Sequence, residues 1–124
     1  MSRFLLILSE GPNLFDRVRA TLRLDSRFID SDEEVHCDGS AAPLTNIYPV
    51  EMTAGDWADR QSADSGMPDP TFMQTLIFEC RSATWVAEVG ALLAKGSETP
   101  IWFVDSADTA WPADRVDTNR VVLD

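Results

Sequence analysis

Phe4–Leu8, FLLIL, is an unbroken apolar run, and Gly11 and Pro12 close it within a few residues. A run this short, with no polar residue at alternate positions, reads as a β-strand buried on both faces. Such a strand belongs in the middle of a sheet and needs material over both sides. Pro12 suits the first turn of a helix, where no amide donor is needed. The following NLFDRVRATLRL puts Leu14, Val18, Thr21 and Leu22 on one helical face, with Phe15 beside them. Asp16, Arg17, Arg19 and Arg23 fall on the other, so an amphipathic helix is expected over about residues 12–24.

The same unit recurs later. TFMQTLIFEC, residues 71–80, reads as a strand, and SATWVAEVGALLAKG follows at once. Ser82 has the chemistry of an N-cap, Gly96 that of a stop, and Lys95 suits the last turn. That helix, over about 82–95, would bury Trp85, Val89, Leu92 and Leu93. Gly90 inside it costs about 1 kcal/mol relative to Ala unless close packing needs it. TPIWFVDS is a further buried strand, and Val121–Leu123 a short terminal one. Between the two units lies a polar connection over 25–43, with a short strand near Val35–Cys37. LTNIYPVEMT then alternates, with Leu44, Tyr48, Val50 and Met52 on one side. Pro49 has no amide to donate, which confines that strand to an edge or a bulge. Residues 54–70 form a long acidic loop, with one helical turn near Asp56–Arg60. The pattern predicts one domain over residues 1–124, α/β or α+β in class: a mixed sheet of about five strands with two main helices.

Charge narrows the function. The chain carries a net −11, and residues 28–70 hold ten acids against Arg60 alone. A field of this sign repels nucleic acid and anionic membranes and attracts basic proteins and cations. No run approaches the roughly 18 apolar residues of a membrane span. The opening MSRFLLILSEG is too short for an export signal, and Cys37 and Cys80 read as reduced thiols. A soluble cytoplasmic protein is expected, as a monomer or weak dimer.

Tests for catalysis mostly fail. His36 is the single histidine, and Cys37 would point away from it in an extended segment. Zinc would want several His or Cys ligands. Asp30, Asp32 and Glu34 alternate like a calcium loop, but Val35 stands where that loop needs Gly and Ala41 where it needs Glu. Cys80 opens a helix beside Arg81, yet a phosphatase loop would place Arg at position 86, which is Val. Asp105, Asp108, Asp114 and Asp117 follow a buried strand, where α/β proteins often place carboxylates, although Asp and Ser there also make turns. No cofactor is expected, and no catalytic residue is assigned.

The acidic stretch FIDSDEEVHCDG remains, with aromatic and Met residues interleaved through 28–70. Complementary charge speeds encounter with a basic partner, and aromatic anchors hold the complex. Together with the two β–α units, carrying CRSATWVAEVGALLAKG and PIWFVDS, this small acidic domain resembles the immunity proteins of bacterial toxin systems. The resemblance implies a non-enzymatic protein that binds a cognate toxin domain and blocks its active site. On the residues themselves, Asp30, Asp32, Glu33, Glu34, Asp38, Asp56 and Asp59 are expected to supply charge, and Tyr48 and Trp57 to serve as anchors. Two rival readings are a small metal-dependent enzyme or ligand-binding domain using the carboxylates after Val104, and an acidic structural or regulatory subunit.

Overall fold

The computed structural model describes residues 4–52 and 67–123. The loop expected over 54–70 falls almost wholly outside them, as does the helical turn expected near Asp56–Arg60. The described elements run β1 (Phe4–Ser9), α1 (Leu14–Leu22), β2 (Ile29–Asp30), β3 (Val35–Cys37), β4 (Thr45–Val50), β5 (Gln74–Glu79), α2 (Ala83–Lys95), β6 (Ile101–Val104) and β7 (Ala110–Pro112). Short 3₁₀ turns cover Pro70–Phe72 and Ala113–Arg115.

The fold is two helices on one β-sheet, as the α/β pattern predicted. The sheet has seven strands in the order β2-β3-β4-β5-β1-β6-β7. Two details differ from expectation. There are seven strands rather than about five, because β2 and β7 are too short to leave a periodic signal. Every described pairing is antiparallel rather than mixed. The β5–α2–β6 crossover does make two strands run the same way, but β1 occupies the place between them and opposes both.

β1 is the central strand that its composition demanded. Leu5 and Ile7 face the helices and join Val18, Leu22, Phe78, Val89 and Phe103 in the main core. Leu6 and Leu8 face the other way, into a smaller cluster with Val104 and Ala110. Met52, Met67, Met73, Ile77 and Trp102 pack against that second cluster.

The helices begin and end for local reasons. Asn13 takes a left-handed conformation, φ 59°, so α1 starts at Leu14 rather than Pro12. The Leu14 amide donates to Gln74 Oε1 at 2.7 Å, which ties the helix start to β5. Ser82 caps α2, accepting from the Trp85 amide at 3.2 Å, as expected. Gly90 is required by packing: a Cβ there would lie 2.0 Å from the Ala113 carbonyl oxygen.

In β4 the core side is Thr45 and Ile47, whereas Leu44 is exposed and Tyr48 half-buried, so the side that carries Tyr48, Val50 and Met52 is the one turned away from the main core. Pro49 is tolerated because β3 pairs only as far as Ile47, which leaves Pro49 facing β5 alone. One strand reading is corrected. Val121–Leu123 is not a strand; the Val122 amide donates to Asp105 Oδ2 at 3.1 Å instead.

Candidate partner-binding face

The sheet register decides which of the sequence-predicted residues meet. Ile29 pairs with His36, His36 with Asn46, Asn46 with Glu79, and Glu79 with Phe4. These five form one row across the face that carries no helix. Glu34, two residues before His36, lies on the same side, with its Oε1 3.7 Å from His36 Nδ1. Tyr48 follows Asn46 by two and is half-buried there too. Ile29 and Phe4 are exposed at the two ends of the row.

The β2–β3 hairpin holds the acids in place. Ser31 Oγ accepts from the amides of Glu33 and Glu34 at 3.3 and 3.2 Å, and the Ser31 amide donates to the Glu34 carbonyl at 2.9 Å. This tight turn projects Asp32 and Glu33 into solvent; the Asp32 side chain is 97% exposed. The hairpin is anchored from behind. Phe28 stacks on Trp85 with ring centroids 5.6 Å apart, Arg27 lies over the same indole, and Arg27 also pairs with Asp25 and Glu88. The Trp85 indole in turn donates to Thr45 Oγ1 at 2.8 Å.

The predicted acids divide. Asp30 turns toward α1, where Arg23 and Arg19 hold it at 2.7 and 3.3 Å. The Arg23 contact keeps its carboxyl below the usual carboxylate range. Asp30 is therefore a tether between hairpin and helix. Asp32 has a longer contact with Arg19, 3.4 Å. Asp38 accepts from the Ser40 hydroxyl and amide at 2.6 and 2.9 Å, which lowers its pKa, and it remains exposed. Burial, together with the negative Glu79 alongside, raises the Tyr48 phenol. Asp56, Trp57 and Asp59 lie outside the described residues.

Glu79 and the exposed Phe4 were not anticipated as members of this face. No local sequence signal marks them, since only the strand register brings them beside His36 and Tyr48. His36 Nδ1 is closed to solvent and has no hydrogen-bond partner.

The other candidates resolve differently. Asp105 is 2% exposed, and both of its carboxylate oxygens are engaged. Oδ1 accepts from the Ala107 and Thr109 amides, each at 3.0 Å. Oδ2 accepts from the Trp111 indole at 3.0 Å and the Val122 amide at 3.1 Å. This carboxylate organises a turn and fastens the last residues. Asp117 accepts from the Asn119 amide, again as a turn former. Cys37 and Cys80 are free and buried; burial pushes Cys37 up to about 11 and raises Cys80, the reverse of an activated thiol. Among the described residues no group of three or more His, Cys, Asp or Glu is placed to hold a metal ion. No helix among them is long and apolar enough to cross a membrane.

No family model, no curated protein and no solved structure matches this chain.

Proposed function

We propose that this chain is an immunity-type inhibitor, which binds a basic protein domain with the helix-free face of β2–β5 and the β2–β3 turn. The observation that carries the reading is that Glu34 and Tyr48 share the helix-free side with the exposed Ile29, while the exposed Asp32 and Glu33 stand at the adjoining β2–β3 turn and the exposed Asp38 just past β3. Solvent-facing carboxylates steer a basic partner over distances up to a Debye length, about 8–10 Å at ordinary salt. Half-buried aromatic and apolar side chains then supply contact area that water cannot replace. A toxin domain with a phosphate-binding active-site cleft has the complementary charge.

The metal-dependent alternative is weakened because Asp105, its best-placed carboxylate, already accepts four hydrogen bonds. The acidic-subunit alternative differs in outcome: a scaffold leaves its partner's activity intact, and an inhibitor abolishes it.

The test uses the basic protein retained by the full chain at low salt, assayed for its own activity with and without this protein. Stoichiometric inhibition is expected. The triple variant Asp32→Lys, Glu33→Lys, Glu34→Lys should slow association roughly tenfold or more at low salt and flatten its salt dependence. A partner that keeps full activity in the complex, or an association rate unmoved by the triple variant, refutes the reading.

A further inference from the structure

The row of Ile29, His36, Asn46, Glu79 and Phe4 contains one polar atom that the fold does not satisfy. His36 Nδ1 is closed to solvent and makes no hydrogen bond. A buried nitrogen left this way is uncommon in folded proteins and calls for an explanation. The Glu34 carboxylate stands beside it, with Oε1 at 3.7 Å. A lone pair on Nδ1 would face that negative oxygen unfavourably, whereas an N–H there would be attracted to it. A neutral imidazole carries one proton, and its surroundings decide which nitrogen holds it. Glu34 draws that proton to Nδ1 and leaves Nε2 as an acceptor.

Nε2 is the open nitrogen. The side chain is 31% exposed, Nδ1 contributes none of that surface, and Nε2 is not closed off. The neighbours on this side offer acceptors as well. Asn46 on β4 is opposite His36, and Glu79 on β5 is opposite Asn46. Adjacent strands lie about 4.8 Å apart, so His36 and Glu79 are separated by roughly 10 Å, with Asn46 between them. Glu34 and Asp38 flank His36 along β3, and Ile29 opposite it on β2 carries no charge. Asp30 is turned to Arg19 and Arg23 on α1. Tyr48, two residues past Asn46, keeps its phenol proton well above neutral pH. Arg81, two residues past Glu79, is exposed. Among the described residues no Lys or Arg makes an ion pair with Glu34, Asp38 or Glu79.

We infer that this row seats one Lys or Arg side chain of the basic partner over Asn46, with His36 Nε2 accepting one of its N–H groups and Glu79 opposing its charge. Glu34 positions His36 by fixing its tautomer. The inference rests on the partner-binding reading of this face and names the chemistry that the face recognises. His36 serves as a neutral acceptor. A proton added at Nε2 turns it into a donor that repels the cation. Seating is therefore present on the alkaline side of the range in which histidines titrate and is lost as pH falls through it.

The seat is tested on the full chain without the partner. At about pH 8.5, where imidazoles are neutral, the ring-nitrogen NMR resonances of His36 should show the proton on Nδ1 and a bare Nε2. Glu34→Gln should reduce that preference. The probe is a blocked tetra-arginine peptide at low salt, which should move the Nε2 resonance, while blocked tetra-glutamate should not. Its affinity should fall about three- to tenfold between about pH 8 and pH 5.5, the effect of one hydrogen bond, because carboxylates and arginine keep their charge over that range. His36→Asn keeps a side-chain acceptor and does not titrate, so it should bind the peptide at the higher pH and change less than about twofold. The inference is overturned if neutral His36 carries its proton on Nε2, if the peptide leaves that resonance unmoved, or if His36→Asn keeps the parent's pH dependence. The tautomer is read on the parent and decides the matter if the variant fails to fold. A seat that passes beside a partner left fully active supports this inference and overturns only the inhibitor reading.

Discussion

Asp105→Asn separates a structural carboxylate from a functional one. In the parent, four N–H groups converge on the two carboxylate oxygens at 3.0–3.1 Å. An amide side chain keeps one oxygen and so serves one pair of donors. Its NH₂ then faces the other pair: either the Ala107 and Thr109 amides, or the Trp111 indole and the Val122 amide. Each buried donor left without an acceptor costs about 1–3 kcal/mol, so two cost about 2–6. Ser106 and Ala107 are exposed, so water reaches part of the turn and favours the lower half of that range. We expect a loss of about 2–3 kcal/mol, which for a chain of this length lowers Tm by roughly 8–15 °C. Thermal melts followed by circular dichroism measure this. The Trp111 indole N–H resonance and the exchange rate of the Val122 amide show whether the knot itself has opened. A change below about 0.5 kcal/mol would refute the reasoning. A gain in stability would do more: it would mark Asp105 as a group kept for activity against the interest of the fold, and would revive the metal-dependent reading.

Two further outcomes follow from packing and charge. Gly90→Ala gains about 1 kcal/mol of helix propensity, but its new methyl would meet the Ala113 carbonyl oxygen at 2.0 Å and Phe103 Cε2 at 3.1 Å. The net change should be a loss of about 1–3 kcal/mol in unfolding free energy, read as a lower urea midpoint, and a stabilised variant would contradict the packing. The Arg27 side chain, mainly by hydrogen bonding, lowers Asp25 to about 2, and Arg23 lowers Asp30 in the same direction. The unfolded chain therefore takes up these protons first, so their stabilisation is complete above about pH 4 and is lost as pH falls toward 2. Asp25→Asn should be less stable than the parent at pH 6, and the two should converge near pH 2. A gap that does not change with pH would show that ionisation of Asp25 is not its cause.

The fold was readable where a long pattern existed. Phe4–Leu8, the α1 stripe of Leu14, Val18 and Leu22, and the Ser82 cap with its helix each carry a signal several residues long. β2 and β7 do not, because two or three residues cannot show a period. In β4 the shared side of Tyr48, Val50 and Met52 was legible as an alternation, but which side would be buried was decided by the pairing with β3 and β5. The candidate face was half readable. Composition picked out Glu33, Glu34, Asp38 and Tyr48, but not that Asp30 would be taken by Arg23, nor that Glu79 would stand beside Tyr48.

The sequence by itself determined that one β-strand is buried on both sides, that two amphipathic helices accompany the sheet, and that negative charge gathers over 28–70. Those properties depend on neighbours within a few positions along the chain, where spacing alone sets geometry. Tertiary structure decided everything that depends on partners far apart in sequence. It placed β1 between β5 and β6, which turned a crossover into an antiparallel sheet. It brought the Val122 amide, from 17 residues away, onto Asp105, and so converted the most enzyme-like carboxylate into a fastening. It also left Thr75 between Leu8 and Val50 with its hydroxyl unpaired. A hydrogen bond is settled by which donors reach an acceptor in space, and the order of residues does not contain that until the chain has folded.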